Sequence, residues 1–243
     1  MYGMAGRIGL MVPSVNTVAE PEFARLVPAD VGVYAARMRN ARADTADSKA
    51  MLAHVERAAD ELGSARVDVL AFACTASSFI EGDQGEAALR RRMEAASGVP
   101  AVTTSGAVAA ALRHLGARRV GVATPYVDEL NQLERSYLEA EGFEVAGIAG
   151  MGILEAFDIG KVPPAETGRF VCSAVGGAVA RVDAVFISCT NLRAIEALPG
   201  LAAELGRPAI SSNSATCWSS LRALGLGAAA ENALQGAATV QCA

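Results

Sequence analysis

Short apolar runs alternate with longer segments of helical periodicity along this chain of 243 residues. Residues 7–12 and 119–123 are apolar runs followed by proline-containing turns, a pattern typical of strands buried on both faces of a parallel sheet. Residues 48–62 instead place their apolar side chains on one stripe at helical spacing. The same helical pattern recurs over residues 86–96, 107–115, 127–141, 166–180, 193–205 and 216–224. Strands that alternate with helices predict right-handed βαβ units and parallel sheets.

The chain also contains an internal repeat. Residues 66–75 and 181–190 each begin with Arg-Val-Asp, continue with an apolar run and end with Cys-Thr. Two further matched pairs keep the same order: residues 7–12 with 119–123, and residues 98–107 with 206–215. Asp68 and Asp183 stand at the start of their strands, away from the cysteines, and we interpret them as structural turn residues. This pattern predicts a gene duplication.

The repeat suggests where the chain divides. We predict a first α/β domain over residues 1–116 and a second over residues 117–221, with the boundary near Gly116. Residues 222–243 are rich in Ala and Gly and have no strand pattern, so we predict a helix that returns to the first domain. Gly116 and Gly142 follow helical segments at positions where helix C-caps favour glycine.

The composition of the chain argues against some classes of binding partner. The chain has 21 basic and 26 acidic residues and a formal net charge of −5. It has no basic block, which argues against nucleic acid, and no apolar run of the ~20 residues that cross a membrane. The N-terminal residues lack the pattern of a secretory signal, and the 5 cysteines show no metal-type spacing, so we expect a reduced, cytoplasmic protein.

Two of the cysteines are candidate catalytic thiols. Cys74 and Cys189 occupy equivalent places in the repeat, and each follows a predicted buried strand. Ligands of open α/β sheets bind at the carboxyl ends of the strands, so a substrate between the halves would meet a thiol from each side. We expect backbone N–H groups at the following turns to lower the thiol pKa and to bind an anion. Cys172, Cys217 and Cys242 have no motif around them and are interpreted as inert.

The sequence resembles the aspartate/glutamate racemase superfamily over nearly its whole length. Within it, the chain is most similar to the branch of maleate cis-trans isomerases and arylmalonate decarboxylases. The residues that carry the resemblance are Val12-Pro13-Ser14-Val15-Asn16-Thr17, Ala73-Cys74-Thr75, Thr124-Pro125-Tyr126 and Ser188-Cys189. The resemblance implies two flavodoxin-like α/β half-domains related by a pseudo-twofold axis, with the active site in the cleft between them.

Details of these motifs favour one activity within the superfamily. Amino-acid racemases have Cys-Thr-His at the second cysteine, where this chain has Asn191. Arylmalonate decarboxylases have glycine in place of the first cysteine, where this chain has Cys74. Maleate isomerases keep both cysteines and an asparagine matched by Asn16, but carry a bulky apolar residue at the position of Thr75.

The resemblance therefore implies isomerisation of maleate, or a close dicarboxylate, to fumarate. Cys74 would add to the double bond as a thiolate, and Cys189 would act as general acid/base. The expected substrate-binding residues are Asn16, Thr75, Tyr126 and Thr190, and no metal, nucleotide or flavin is required. A homodimer or larger homo-oligomer is expected, because superfamily members are commonly dimers. Three alternatives stay open: a two-cysteine racemase or epimerase of an amino acid or hydantoin, a decarboxylase, and a protein that only binds small acids.

Overall fold

Eight strands form two parallel sheets in the computed structural model, which describes residues 2–236 except for the side chains of residues 178–180. The first sheet has the order β2-β1-β3-β4 and the second has the order β6-β5-β7-β8. The strands of the first sheet are β1 (Gly6–Pro13), β2 (Val31–Met38), β3 (Val69–Phe72) and β4 (Ala101–Thr103). The strands of the second sheet are β5 (Arg119–Thr124), β6 (Glu144–Gly150), β7 (Ala184–Ile187) and β8 (Ala209–Ser211). The predicted duplicated α/β fold is confirmed.

Helices connect the strands in both halves. The first half contains α1 (Ala19–Leu26), α2 (Thr45–Met51), α3 (Val55–Ser64), α4 (Thr75–Phe79), α5 (Gly82–Ser97) and α6 (Thr104–His114). The second half contains α7 (Asp128–Ala140), α8 (Ala156–Ile159), α9 (Pro164–Val175), α10 (Leu198–Leu205), α11 (Ser212–Ala223) and α12 (Gly227–Leu234). Short 3-10 helices cover Leu52–His54 and Gly176–Arg181. None of the helices within residues 2–236 is long and apolar enough to cross a membrane.

The sequence pattern predicts six of the eight strands in the described residues. These are the inner strands β1, β3, β5 and β7 and the edge strands β4 and β8, which lie in the matched segments 98–107 and 206–215. The other two edge strands, β2 and β6, are not predicted and are only partly buried. Their glycines and alanines have low strand propensity, and their partial exposure weakens the pattern of a buried strand.

Several predicted helices have different bounds in the structure. The helix predicted over residues 166–180 ends at Val175 and is followed by the 3-10 helix Gly176–Arg181, and those predicted over 86–96 and 216–224 begin earlier, at Gly82 and Ser212. The segment 48–62 is divided between α2 and α3 by a 3-10 turn at Leu52–His54. The helix predicted over residues 193–205 begins only at Leu198. The preceding backbone N–H groups of Ala194 and Ile195 donate to the Glu22 carboxylate on α1 instead, which keeps these residues out of the helix.

Repeated polar residues and glycines have the structural roles that were expected. The carboxylate of Asp68 accepts a hydrogen bond from the N–H of Arg7 at the start of β1, and Asp183 accepts from Arg118 and Arg119 at the start of β5. Gly116 and Gly142 follow α6 and α7 with φ of 70° and 90°, conformations that favour glycine.

The end of the described chain packs back onto the first half. α11 contacts α6, β3 and β4, and the ring of His114 on α6 lies 2.9 Å from a carboxylate oxygen of Glu231 on α12. Leu224–Leu226 separate α11 from α12, and residues 237–243, with Cys242, lie outside the described residues. The division into domains at residues 1–116 and 117–221 stays a prediction.

Candidate active site

The site lies where the strand order of each sheet changes direction. In the first sheet, β2 lies on one side of β1 and β3 on the other, so the loops after β1 and β3 diverge and open a crevice. Asn16 follows β1 and Cys74 follows β3. In the second sheet, Tyr126 follows β5 and Cys189 follows β7. The two crevices face each other across the contact between the halves.

One cavity is lined by every residue that was expected at the site. It encloses about 400 Å³ of empty space, part of it open to solvent. The expected residues that line it are Asn16, Cys74, Thr75, Tyr126, Cys189 and Thr190. All six side chains are buried. The repeat in the sequence therefore brings both thiols to one cavity.

Cys74 sits at the N-terminus of α4. Its thiol donates to Ser77 Oγ at 3.4 Å, and the Ser77 hydroxyl donates in turn to the carbonyl of Ser48 at 3.0 Å. The backbone N–H groups of Ala76 and Ser77 bond to the sulfur and favour the thiolate, but burial outweighs them and raises the pKa of Cys74. The expectation of a lowered pKa is therefore wrong.

Cys189 has a different backbone from Cys74, although the two are equivalent in the repeat. Its φ is 89°, a left-handed conformation that an L-residue rarely adopts, whereas Cys74 is extended with φ of −146°. The N–H of Cys189 donates to Ser212 Oγ at 3.0 Å, and its sulfur accepts from the N–H of Asn191 at 3.4 Å. Strained residues of this kind cluster at functional sites.

The Cys189 thiol is a weak acid in this setting. Burial raises its pKa to about 12, in spite of hydrogen bonds from the Asn191 N–H and the Tyr126 hydroxyl. The Tyr126 hydroxyl is itself buried, which raises its pKa well above the usual range. At neutral pH both groups hold their protons, so Cys189 is a proton donor rather than a ready base.

The hydroxyl of Thr75 is directed at the protein. It donates to Ser212 Oγ at 2.8 Å, and Ser212 in turn accepts from the N–H of Cys189 at 3.0 Å. Thr75 thus connects the first half to the backbone of the second cysteine. The hydroxyl that distinguishes this position from its apolar counterparts in maleate isomerases is engaged by Ser212.

Asn16 and Thr190 form a second connection between the halves. The Asn16 side-chain N–H donates to Thr190 Oγ1 at 3.1 Å, and the Thr190 hydroxyl donates to the carbonyl of Ala73 at 2.9 Å. The side-chain oxygen of Asn16 accepts from the N–H groups of Val18 and Ala19, both at 2.9 Å, and so satisfies two backbone donors at the start of α1. Asn16 therefore has a structural role in addition to its place in the cavity wall.

The cavity also contains residues that sequence reasoning did not find. The additional polar ones are Asn40, Arg42, Ser48 and Asn191, and the additional apolar ones are Pro13, Val15, Ala43, Ala76, Ala156 and Ile159. Arg42 is the one cation among these lining residues, and its guanidinium already pairs with Asp44 at 2.9 Å and Glu155 at 3.2 Å. Most of these residues follow β2 or β6, the two strands without a sequence signal. The others had one: Pro13 and Val15 lie in the motif around Asn16, and Ala76 and Asn191 directly follow the two Cys-Thr pairs.

Two loops from opposite halves pair beside the cavity. Arg42 and Glu155 form an isolated antiparallel bridge. The N–H of Ala43 donates to the carbonyl of Leu154 at 2.8 Å, and the N–H of Ala156 donates to the carbonyl of Ala41 at 3.1 Å. These contacts join the halves on the side of the site away from the sheets.

Glu22 ties the second cysteine loop to α1. Its carboxylate accepts from the N–H groups of Ala194 and Ile195 at 3.0 and 3.4 Å and from Asn213 Nδ2 at 2.7 Å. Asn213 Nδ2 also donates to the carbonyl of Thr190 at 2.9 Å. Burial raises the pKa of Glu22 to about 7, although these hydrogen bonds lower it.

The described residues offer no cluster of three or more His, Cys, Asp or Glu side chains that is arranged to hold a metal ion. Cys74, Cys172, Cys189 and Cys217 are free thiols. The chemistry available in the cavity is that of two thiols, a phenol, several amide and hydroxyl groups, and the guanidinium of Arg42, which is paired with Asp44 and Glu155.

Comparison with known proteins places the chain in a family. Residues 8–236 match the family model described as arylmalonate decarboxylase. A maleate isomerase of Pseudomonas putida is 30% identical over 233 residues, which are 90% of this chain and 92% of that protein. An arylmalonate decarboxylase of Bordetella bronchiseptica is 31% identical over 223 residues, 92% of each chain.

A solved structure agrees with both sequence matches. A cysteine-to-serine mutant of the Nocardia farcinica maleate cis-trans isomerase, with a covalently bound succinylcysteine intermediate, superimposes with a TM-score of 0.85. It is 27% identical, and the match covers 91% of this chain and 93% of that one. The predicted branch of the racemase superfamily is confirmed, and the chain belongs to the arylmalonate decarboxylase family, in which maleate isomerases are among its relatives.

Proposed function

We propose that this protein is a cofactor-independent cis-trans isomerase that converts maleate, or a close small dicarboxylate, to fumarate or the corresponding trans acid. The observation that carries the proposal is the meeting of Cys74 and Cys189 in one cavity. The related Nocardia enzyme, with its succinylcysteine intermediate, supports covalent chemistry at a cysteine. The maleate isomerase of Pseudomonas putida supports the choice of substrate.

The reaction needs a temporary single bond. The Cys74 thiolate adds to one alkene carbon of maleate, and the electron pair of the double bond moves toward the carboxylate on the other carbon. Cys189 gives its proton to that carbon, which completes a succinyl thioether on Cys74. After rotation about the new single bond, the Cys189 thiolate removes the proton, and the C–S bond breaks to release the trans acid and the Cys74 thiolate.

The surroundings of the two thiols suit these separate roles. Cys74 has the backbone N–H groups of Ala76 and Ser77 to stabilise its thiolate. Cys189, with a pKa of about 12, holds its proton at neutral pH until the enediolate needs it. Burial also raises the pKa of Cys74, so its proton passes to solvent, to which the cavity is partly open, before the thiolate adds.

Donors for the substrate carboxylates come from both halves. Tyr126, Asn16 and the backbone N–H groups that follow the two cysteines lie at the cavity wall. The hydroxyls of Thr75 and Thr190 already donate to Ser212 and Ala73, so we assign these threonines the role of positioning the two cysteine loops. Charge that develops on a carboxylate is stabilised best by donors fixed in advance in this way.

The proposal is tested by proton NMR of the protein with maleate in deuterated buffer that contains a reducing agent. We expect the vinyl signal of maleate to be replaced by that of fumarate, and we expect no conversion by Cys74→Ser. Cys172→Ser, a thiol outside the cavity, is the matched control and should keep full activity. Unchanged maleate with the unmodified protein would contradict the proposal.

Decarboxylation is the second candidate, because the family model and the Bordetella relative both carry that name. A decarboxylase that uses only the second thiol would release carbon dioxide from an arylmalonate in Cys74→Ser but not in Cys189→Ser. Racemisation would instead introduce solvent deuterium at the α-carbon of an amino acid or hydantoin. We further propose a homo-oligomer in the cytoplasm with no nucleic-acid or membrane partner, which size-exclusion chromatography and cell fractionation would test.

A further inference from the structure

Glu134 is a buried acid beside the candidate site that the proposed mechanism does not use. It lies on α7 and is 1% exposed. The hydroxyl of Ser188, the residue before Cys189, donates to its Oε1 at 2.6 Å. Within the described residues, no arginine, lysine or histidine forms an ion pair with it. A carboxyl without a cation in this setting is most stable in its neutral form.

The second oxygen of Glu134 is buried and has no hydrogen-bond partner in the described structure. Glu134 lines a small cavity whose other polar residues are Thr75, Ser105 and Tyr137. About 10 Å³ of this cavity admits the centre of a water molecule, which is close to the space that one water needs. A water molecule in this cavity would accept a hydrogen bond from a protonated Oε2 of Glu134.

Thr75 separates this cavity from the one that holds the two thiols, since it lines both. A negative charge on Glu134 would change the acidity of the site, because it raises the pKa of both Cys189 and Tyr126. The titratable groups that face Glu134 are Cys189 after β7, Tyr126 after β5 and Tyr137 on α7 itself. The charges of Glu141 after α7, Glu86 on α5 and Arg113 on α6 shift the pKa of Tyr137.

We propose that Glu134 is a positioning residue that works as a neutral acid. Its uncharged carboxyl accepts a hydrogen bond from the Ser188 hydroxyl and donates one to a water molecule in the cavity that Ser105 also lines. Because the carboxyl is neutral, it places no negative charge next to Cys189. This inference rests on the proposed function. A dicarboxylate and a thiolate already place negative charge in the site, so ionised Glu134 would oppose both substrate binding and the addition of Cys74.

The pH dependence of activity tests this role. Burial raises the pKa of Glu134 to about 8, so above that pH kcat/KM of the unmodified protein should lose about tenfold per pH unit relative to kcat/KM of Glu134→Gln. Glu134→Gln keeps the shape and the neutral state, so it should retain kcat/KM within about threefold at pH 7, and both proteins should share any rise that comes from ionisation of Cys74. Glu139→Gln, an exposed position on the same helix, is the control and should keep the original profile.

Two results would overturn the inference. If Glu134→Gln has the same pH profile as the unmodified protein, the charge on Glu134 does not act on the reaction. If Glu134→Gln is folded but inactive at pH 7, the reaction needs a titrating carboxyl rather than a neutral one.

A measurement without substrate separates this inference from the proposed function. In protein labelled with carbon-13 at the glutamate carboxyls, the signal missing from Glu134→Gln identifies Glu134, and it should titrate with a midpoint near 8. A signal that stays ionised down to pH 5 would refute the neutral acid even if maleate is isomerised. Titration near 8 without turnover of maleate would refute the proposed function alone.

Discussion

The backbone of Cys189 allows a quantitative test of strain at the site, because the internal repeat supplies a matched control. Cys189 has a φ of 89° and Cys74 a φ of −146°, while both side chains are buried to the same degree, with 9% exposed. We compare alanine with glycine at each position. The thiol is absent from all four variants, so only the Cβ atom and the backbone preference differ within each pair.

The expected magnitude follows from three contributions. At Cys74, glycine loses about 0.4–1 kcal/mol relative to alanine through the entropy of the unfolded chain, and about 0.8 kcal/mol through the lost buried methyl group. At Cys189 the same two losses apply, but glycine also relieves a left-handed conformation that costs an L-residue about 1–2 kcal/mol. The cost of glycine relative to alanine should therefore be about 1–2 kcal/mol smaller at Cys189 than at Cys74.

Urea unfolding at pH 7 measures the four free energies of unfolding. Cys74→Gly should be clearly less stable than Cys74→Ala, whereas Cys189→Gly and Cys189→Ala should be close to each other. The difference between the pairs cancels the contribution of the methyl group, provided that the four unfolding slopes agree. An equal cost of glycine at both positions would refute the argument that strain is stored at Cys189.

Other predictions follow from the site. Thr75→Val removes the donor to Ser212 and should cost about 1–3 kcal/mol in urea unfolding and lower kcat, whereas a change in KM alone would contradict its positioning role. The folded protein keeps the proton of Glu22 up to a pH of about 7, but the unfolded chain loses it near 4.5, so this group makes stability fall as the pH rises between these values, by about 1.4 kcal/mol per unit. Glu22→Gln should flatten that slope in urea unfolding at pH 5, 6 and 7, and parallel curves would exclude the effect. Although the sequence indicates that Cys172 is inert, it is half-buried and should react with iodoacetamide before the buried Cys74; peptide mass spectrometry that finds the reverse order would show that the Cys74 thiol is activated.

The sequence predicts the architecture well because the inner strands carry their own signal. β3 and β7 are buried on both faces, so their residues form continuous apolar runs that end at Cys74 and Cys189. The edge strands β2 and β6 are partly exposed and contain glycine and alanine, so their existence depends on pairing with β1 and β5. Pairing of this kind is a long-range property that a local pattern does not contain.

The site is predictable to the same extent. The repeat and the position after a buried strand indicate where both cysteines lie, and the resemblance to maleate isomerases indicates Asn16 and Tyr126. The direction of the Thr75 hydroxyl depends on Ser212, which is supplied by the other half of the chain. Similarly, the raised pKa of Cys74 depends on its burial in the assembled cleft, which outweighs the local N–H donors that the sequence indicates.

Trapping the covalent adduct tests whether Cys74 is the nucleophile and Cys189 the proton donor. Cys189→Ser is incubated with maleate, quenched, digested and mapped by mass spectrometry, with Cys74→Ser as the parallel sample. We expect a succinyl group on Cys74 in the first variant and no adduct in the second. An adduct on Cys189 in the Cys74→Ser variant, with none on Cys74 in the other, would contradict the assignment.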